Sequence, residues 1–492
     1  MPQPSYYLAI DQGTTSTRAV AYDFDFMPVA RAVREVRSAF PQPGWVEQDP
    51  DALLGGVVEA VAEVLDAVGG SRAIASVGLD NQGETTIAWD AVSGAALAPA
   101  IVWQCKRSTE IVDRLRATGI EPEIRALTGL PLDPYFSAGK MAWLIERDPA
   151  VQAAAKRGTL RLGTVDAWLT ARLGDRGSLT DPSTASRTQL VRLASLDWDP
   201  RLLGWFGIDR ATLPEIVPTA GDAGRLGHAS WGGPLPLTAL VCDQQAALAG
   251  HGAFRAGAMK ATYGTGVFTL ANAGAVMPPP SSLEVSVAWL LPGEPAAFVM
   301  QGGVLAAGAL LDWLRDGLGL PDARETDGLA RSVADTGGVS VLPALSGLGA
   351  PWWRPGARAV FTGITTGTSR GHLARACLDG IAHLVADVVE EMIVHLPRAP
   401  EVLTVDGGLV ANTYLMQRQA DLLGMTIEIA PSEESTALGS AALAAIGAGR
   451  ATPSGFAQER AAGRRVVPGL DASQRASERA AWRRFVDCTA CA

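Results

Sequence analysis

Two acids stand where apolar runs give way to polar turns: Asp11 closes "YYLAID" and Asp243 closes "TALVCD". Phosphoryl transfer needs a carboxylate to organise Mg2+ and another to take the proton from an attacking hydroxyl. Aspartates at such boundaries equally cap turns and helices, and the residues alone leave that reading open. Three glycine-bearing turns accompany them: "DQGTTSTR" at 11–18, "YGTG" at 263–266 and "DGGLVAN" at 406–412. Glycine lets backbone N–H groups approach a phosphate, and Thr or Ser hydroxyls add donors. Arg18 would add positive charge at the first turn. Each turn alone reads equally as an ordinary tight connection. Together they point to a nucleotide, though none has the GxxxxGK[ST] spacing of a P-loop.

A further group has the chemistry of a polyol pocket. "NQGETT" at 81–86 carries Glu84 beside Gly83, and Trp103, Tyr135 and Phe268 lie elsewhere in the chain. A carboxylate accepts hydrogen bonds from hydroxyls, and aromatic rings pack on the carbon side of a small polyol. Trp103 and Phe268 read equally as core residues, and spacing alone does not bring these positions together.

The elements that must place them follow a repeated pattern. "YYLAI" at 6–10 and "RAVAYDFD" at 18–25 predict a hairpin across the first glycine turn. Asp49 and Pro50 predict a helix start, with Leu54, Val57, Val58, Val61 and Leu65 on one face. Helices are also expected around 137–147 and 165–173. A second block begins near 240, where a strand runs into "DQQAALAG", and "MKATYGTGVFTLAN" repeats the strand, Gly/Thr turn and strand of the N-terminus. The echo suggests an internal duplication. Residues 372–397 predict a long amphipathic helix with Leu373, Ile381, Leu384, Val388 and Met392 on its apolar side. The segment 401–424 reads as strand, glycine turn and a helix stopped by Gly424. From about 452 the chain is polar, Arg-rich and helical in texture.

At 492 residues the chain exceeds a single core, so two or three domains are expected, with a boundary near 250. The composition, 48% hydrophobic and 19% charged, is globular, and the net charge of −10 argues against nucleic acid or an anionic membrane as partner. No apolar run reaches the length of a membrane helix, and the N-terminus lacks a basic region before its apolar run, so the expected location is the cytoplasm. Cys105, Cys242 and Cys377 read as small core residues. Cys488 and Cys491 form "CTAC" without the second pair that a metal site wants, and read as an unstructured tail.

Many ordered segments together resemble the FGGY family of carbohydrate kinases. They include "PGWVEQDP", "ETTIAWD", "AIVWQCKR", "TGLPLDPYFSAGKMAWL", "GTVDAWL", "ASRTQL", "DQQAALAG", "ATYGTGVF", "GLGAPWW", "VDGGLVAN" and "ESTALGSAALAAIGAG". The resemblance implies an α/β fold of two actin-like (ribonuclease H-like) domains, 1–250 and 251–492, each with a mixed five-stranded sheet, closing over a cleft. It implies transfer from ATP, with Mg2+, to glycerol, giving sn-glycerol 3-phosphate. Asp243 would be the general base, and Asp11 and Asp243 would organise Mg2+. Thr14, Thr15, Ser16, Arg18 and Thr265 would meet the phosphates, and Gly308, Asp312, Gly408 and Asn412 the adenosine end. Gly83, Glu84, Trp103, Tyr135, Asp243, Gln244 and Phe268 match polyol-contacting positions. A homo-oligomer, dimer or tetramer, is expected.

Departures from the family pattern matter. Glycerol-phosphorylating members usually read "NQRETT", and Gly83 here replaces the arginine. That leaves open a four- or five-carbon acceptor such as erythritol, threitol, ribitol or xylulose, through weaker glycerol binding or added room. A non-catalytic ATP-binding module is the other alternative. Asp312 replaces a usual glutamine, and the loop used for inhibition in some members is reduced to "SWGGPLPL", so that regulation is not expected.

Overall fold

The computed structural model describes residues 4–320, 322, 325–432 and 434–489. The chain forms two compact units, and both are discontinuous. The first comprises Met1–Phe254, Val285–Phe298 and Glu434–Arg460; the second comprises Arg255–Glu284, Val299–Glu433 and Ala461–Ala492.

In the first unit, β1 (Tyr6–Gln12) pairs antiparallel with β2 (Ser16–Tyr22), which pairs with β3 (Pro28–Glu35). On its other side β1 pairs parallel with β4 (Ile74–Asn81), and β4 pairs parallel with β5 (Leu235–Cys242). A two-residue edge strand, Arg225–Leu226, brings this sheet to six strands, more than the five the resemblance implied. Helix α1 (Pro50–Val68) starts where expected: the Asp49 carboxylate accepts from the Asp51 N–H, Pro50 holds the first position, and Gly69 ends the helix at φ 90°. Its buried face is Leu53, Val57, Ala60, Val61, Val64 and Leu65. Leu54 and Val58 pack only at the margin, their place on the covered face taken by Leu53, Ala60 and Val64. Each buried aliphatic side chain here contributes about 1.5–3 kcal/mol.

Small residues bring a second layer unusually close. The helix Ser435–Gly447 lies on β4 and against α2 (Asp243–Gly250). A methyl group added at Gly78 would stand 2.1 Å from the Ser440 carbonyl oxygen, and one at Gly439 only 1.8 Å from that of Ala246. Gly250 and Gly447 meet the Ser435 and Thr238 carbonyls at 1.9 and 2.1 Å in the same sense.

The second unit repeats the central pattern. Strand β6 (Met259–Tyr263) pairs antiparallel with β7 (Val267–Gly274) across the "YGTG" turn and parallel with a strand, Val402–Asp406, on its other side. The order continues outward through Ala297–Val304 beyond β7, and through Thr426–Ile429 and Arg464–Val466 beyond Val402–Asp406. The long helix spans Arg370–His395, with Ser369 and His372 capping its start reciprocally. Ile381, Leu384, Val388 and Met392 are buried in it and Leu373 is half-buried. Gly424 ends the helix Thr413–Leu423 in the left-handed region, φ 63°. The tail is more ordered than expected: Cys488 lies in the helix Ala472–Thr489 and is exposed, while Cys491 lies outside the described residues. Cys105, Cys242 and Cys377 are buried as expected. No helix is long and apolar enough to cross a membrane among the described residues.

Asp166, in "GTVDAWL", ties the helix Val165–Leu173 to its neighbours. Its carboxyl accepts from Thr164 Oγ1, from the Ala167 N–H (2.8 Å) and from Thr180 Oγ1 (2.7 Å). Burial pushes it up to about 7. Because the folded value exceeds that of an unfolded carboxyl, the group's contribution is complete below about pH 4 and is lost as pH rises through about 7. The stability advantage of wild type over Asp166→Asn, measured by urea unfolding, should shrink by up to about 4 kcal/mol between pH 4 and 8; a constant gap would refute the assignment. In the packed layer, Gly439→Ala should cost several kcal/mol, on the order of other strained core substitutions, read as a fall in the urea midpoint.

Candidate active site

Parallel strands present their C-terminal ends together, and in open α/β sheets ligands bind at that edge. In the first unit β1, β4 and β5 end there at Gln12, Asn81 and Cys242. Asp11 stands opposite Asp80, and Asp80 opposite Val241, in the two registers. The edge therefore gathers Asp11, Asp80 and, one residue past β5, Asp243. Asp80 was missed from the sequence. It is wholly buried and accepts a hydrogen bond from Ser440 Oγ.

Burial raises all three carboxyls; neighbouring acids raise Asp80 and Asp243 further, whereas Arg18 and a hydrogen bond with Asp80 hold Asp11 back. Asp11 is opposed by Arg18, whose Nη1 lies 3.1 Å from Oδ2. Asp80 goes well above the usual range through burial and then the Asp11 charge. Asp243 is pushed up to about 7 by burial and the Glu84 charge, although part of the residue's surface remains open. Mg2+ usually takes one or two carboxylates, with water and phosphate completing its shell. Among the described residues no three or more His, Cys, Asp or Glu side chains form a metal cage. Carboxyls whose charges oppose one another are instead what one divalent cation would relieve, and Asp11 and Asp243 fit that role.

The turn after β1 is wired into this edge. Gly13 N–H donates to the Ser16 carbonyl at 3.0 Å, closing the turn that carries Thr14 and the exposed Thr15. Gln48 Nε2 donates to the Thr14 carbonyl at 2.8 Å, and Gln82 Nε2 donates to Gln48 Oε1 at 2.8 Å. The Trp103 indole N–H donates to Thr14 Oγ1 at 2.9 Å. One side chain thus links the candidate phosphate turn to the candidate polyol wall.

That wall is assembled as the sequence could not show. The Trp103 and Tyr135 rings meet edge-on, centroids 5.6 Å apart. Ser137 Oγ donates to the Glu84 carbonyl at 3.1 Å. Arg187, from "ASRTQL" and unassigned from sequence, is 1% exposed; its Nε donates to Glu84 Oε1 at 2.6 Å. Its guanidinium lies 5.6 and 5.2 Å from the Tyr135 and Phe136 ring centres. Lys140 Nζ, fully buried, donates to the Tyr135 and Phe136 carbonyls, and burial pulls it down to about 7. Cys242 Sγ sits 3.5 Å from Asp243 Oδ1, and burial pushes the thiol well up, so it is a neutral filler. The Gln244 N–H donates to Asp243 Oδ1 at 2.7 Å, orienting the carboxyl.

In the second unit the structure brings Thr265 and Gly308 together. The Ala307 and Ala309 N–H groups donate to the Thr265 carbonyl at 2.9 and 3.1 Å, and Gly308 N–H to that of Gly264 at 3.1 Å. A Cβ at Gly308 would stand 2.7 Å from the Gly264 oxygen, so the "YGTG" turn seats the start of α3 (Gly308–Leu318). Gly407, φ 93°, approaches Tyr263 just as closely, and Gly408 beside it is open. Asn412 caps the helix Thr413–Leu423 through the Leu415 N–H, 2.9 Å. Asp312 is exposed and paired with Arg315 at 3.0 Å. Phe268, half-buried on β7, faces Gly303.

Comparison with known proteins agrees with this architecture. Residues 6–250 match the N-terminal domain of the FGGY family of carbohydrate kinases and residues 259–448 its C-terminal domain. The chain belongs to the FGGY family. Among FGGY relatives, the glycerol kinase of Citrifermentans bemidjiense is 43% identical over 487 residues, covering 98% of both chains. That of Alkalilimnicola ehrlichii is 45% identical over 453 residues, covering 91% of both. The crystal structure of Plasmodium falciparum glycerol kinase with ADP superposes at a TM-score of 0.93, with 30% identity and 99% coverage of both.

The buried Glu84–Arg187 pair makes a sharp expectation. Arg187→Met leaves a buried carboxylate uncompensated and should cost about 3–5 kcal/mol. Adding Glu84→Gln should recover much of that loss in urea titrations; equal loss in both would show that the pair is not the cause.

Proposed function

We propose that the protein transfers the γ-phosphoryl group of ATP to a terminal hydroxyl of glycerol, giving sn-glycerol 3-phosphate and ADP. The observation that carries this reading is that Glu84, Trp103 and Tyr135, joined through Arg187 and Thr14, gather beside the sheet edge that bears Asp243 and the Gly13–Ser16 turn. Full-length relatives named glycerol kinases support it. Glu84 accepts from polyol hydroxyls while Trp103 and Tyr135 pack on its carbon face. Asp243 takes the proton of the attacking hydroxyl as its oxygen bonds to the γ-phosphorus and the bond to the β-phosphate oxygen breaks. Thr14, Thr15, Ser16, Arg18 and Thr265 meet the phosphates. Gly308, Asp312, Gly408 and Asn412 serve the adenosine end, and Gln244 and Phe268 complete the polyol contacts. Mg2+, held by Asp11 and Asp243, would neutralise phosphate charge. On this reading residues 1–250 supply the acceptor site and first phosphate turn, and 251–492 the nucleotide site. The protein works in the cytoplasm as a homodimer or homotetramer.

A coupled assay of ADP formation with glycerol, erythritol, ribitol and xylulose tests the acceptor. Glycerol should give the highest kcat/KM, and a much better longer substrate would overturn the reading. Asp243→Asn should lower kcat by about 10²–10⁴-fold, the usual weight of a general base, while ATP binding measured by calorimetry stays within a few-fold. Retained turnover would remove Asp243 from the chemistry.

A further inference from the structure

Gly83 is the residue at which this chain leaves the family pattern, and the space above it is not vacant. Its φ does not fall in the left-handed region, so the backbone does not itself require glycine. What requires it is a neighbour: a Cβ built at 83 would lie 2.6 Å from Cys242 Sγ, closer than real Cβ contacts come. The other neighbours, Arg187 Cγ and Cβ at 3.9 and 4.0 Å, are at ordinary contact distance. The main chain of Cys242 is pinned, so the thiol can give way only by rotating about the residue's Cα–Cβ bond. Its N–H donates to Ser183 Oγ at 2.8 Å, and it ends a strand held in register with Asn81. The thiol also stands 3.5 Å from Asp243 Oδ1, beside the proposed base.

We propose that Cys242 and Gly83 act as one coupled size determinant of the acceptor pocket. The thiol takes the volume that a side chain at 83 would need, and so holds the pocket to a three-carbon polyol. This rests on the reading of the site as a glycerol-phosphorylating one. It reverses the expectation that losing a side chain at 83 opens room for longer acceptors: the room is filled from the neighbouring strand. It also means that a side chain at 83 is admitted only when Cys242 is cut back.

The test is a double-mutant cycle of Gly83→Ala, Cys242→Gly and the pair, read in two ways. Thermal stability needs no substrate: Gly83→Ala should lower Tm when Cys242 is intact, and the fall should largely vanish in the Cys242→Gly background. If Gly83→Ala alone does not fold, recovery of soluble, folded double variant is the same rescue. Equal Tm losses in both backgrounds overturn the coupling. Kinetics then read size: Cys242→Gly should raise the erythritol-to-glycerol ratio of kcat/KM by about tenfold, the usual worth of a methylene-sized change in a pocket. An unchanged ratio overturns the size role even if the Tm coupling holds. If wild type phosphorylates no polyol, the functional reading fails, while the Tm cycle still decides the steric coupling.

Discussion

The site depends on how closely one helix can lie on one sheet. Gly78 in β4, Gly250 in α2, and Gly439 and Gly447 in the helix Ser435–Gly447 let main chains meet where any Cβ would collide with a carbonyl oxygen. That contact puts Ser440 within reach of Asp80 and sets α2, whose first residue is Asp243, against the same layer. Van der Waals attraction falls steeply with separation, so packing without gaps also makes the layer stiff. The acids are held at their spacing by glycines that never touch them.

Stiffness has an electrostatic use. Three carboxyls at one sheet edge oppose their own ionisation, and a soft scaffold would let them move apart or hydrate. Here Asp80 lies wholly out of solvent, Asp11 is met by Arg18, and Glu84 is met by Arg187. Asp243 has no cationic side chain among the causes of its shift. It is the member of the group left to respond to whatever binds, and it keeps some surface open. Buried charge of this kind is costly for folding, which is why it concentrates where binding and chemistry use it.

Much of this was legible because it is local. Hairpins across Gly/Thr turns, the Asp49–Pro50 helix start and the Gly424 stop each follow from a few adjacent residues. Asp11 and Asp243 were legible as acids after apolar runs. Asp80 has the same signature in "IASVGLD" followed by a polar turn, and its role becomes visible only in the parallel registers that set it beside Asp11 and Val241. Arg187 could not be placed without the fold: it meets Glu84 from 103 positions away. Cys242 is legible as a buried small residue, but burial alone does not say that it stands over Gly83. The α1 stripe holds at Val57, Val61 and Leu65, while Leu53, Ala60 and Val64 take the place of Leu54 and Val58 because the sheet chooses which face is covered. The tail's helices, Pro453–Glu459 and Ala472–Thr489, follow its helical texture, whereas its strand Arg464–Val466 forms only through pairing with Thr426–Ile429.

The discontinuity of the first unit bears on how the chain is made. Its sheet is complete once Cys242 has been synthesised, yet the helix that covers one face belongs to residues 435–447. About two hundred residues separate them, which at bacterial-to-eukaryotic translation rates takes roughly 10–40 s. Through that interval Gly78 of β4, Tyr7 and Ala9 of β1, and Val20 and Tyr22 of β2 lack the helix that covers them. The nascent polypeptide therefore carries an unfinished hydrophobic face out of the ribosome until that unit's distant last segment arrives to close it.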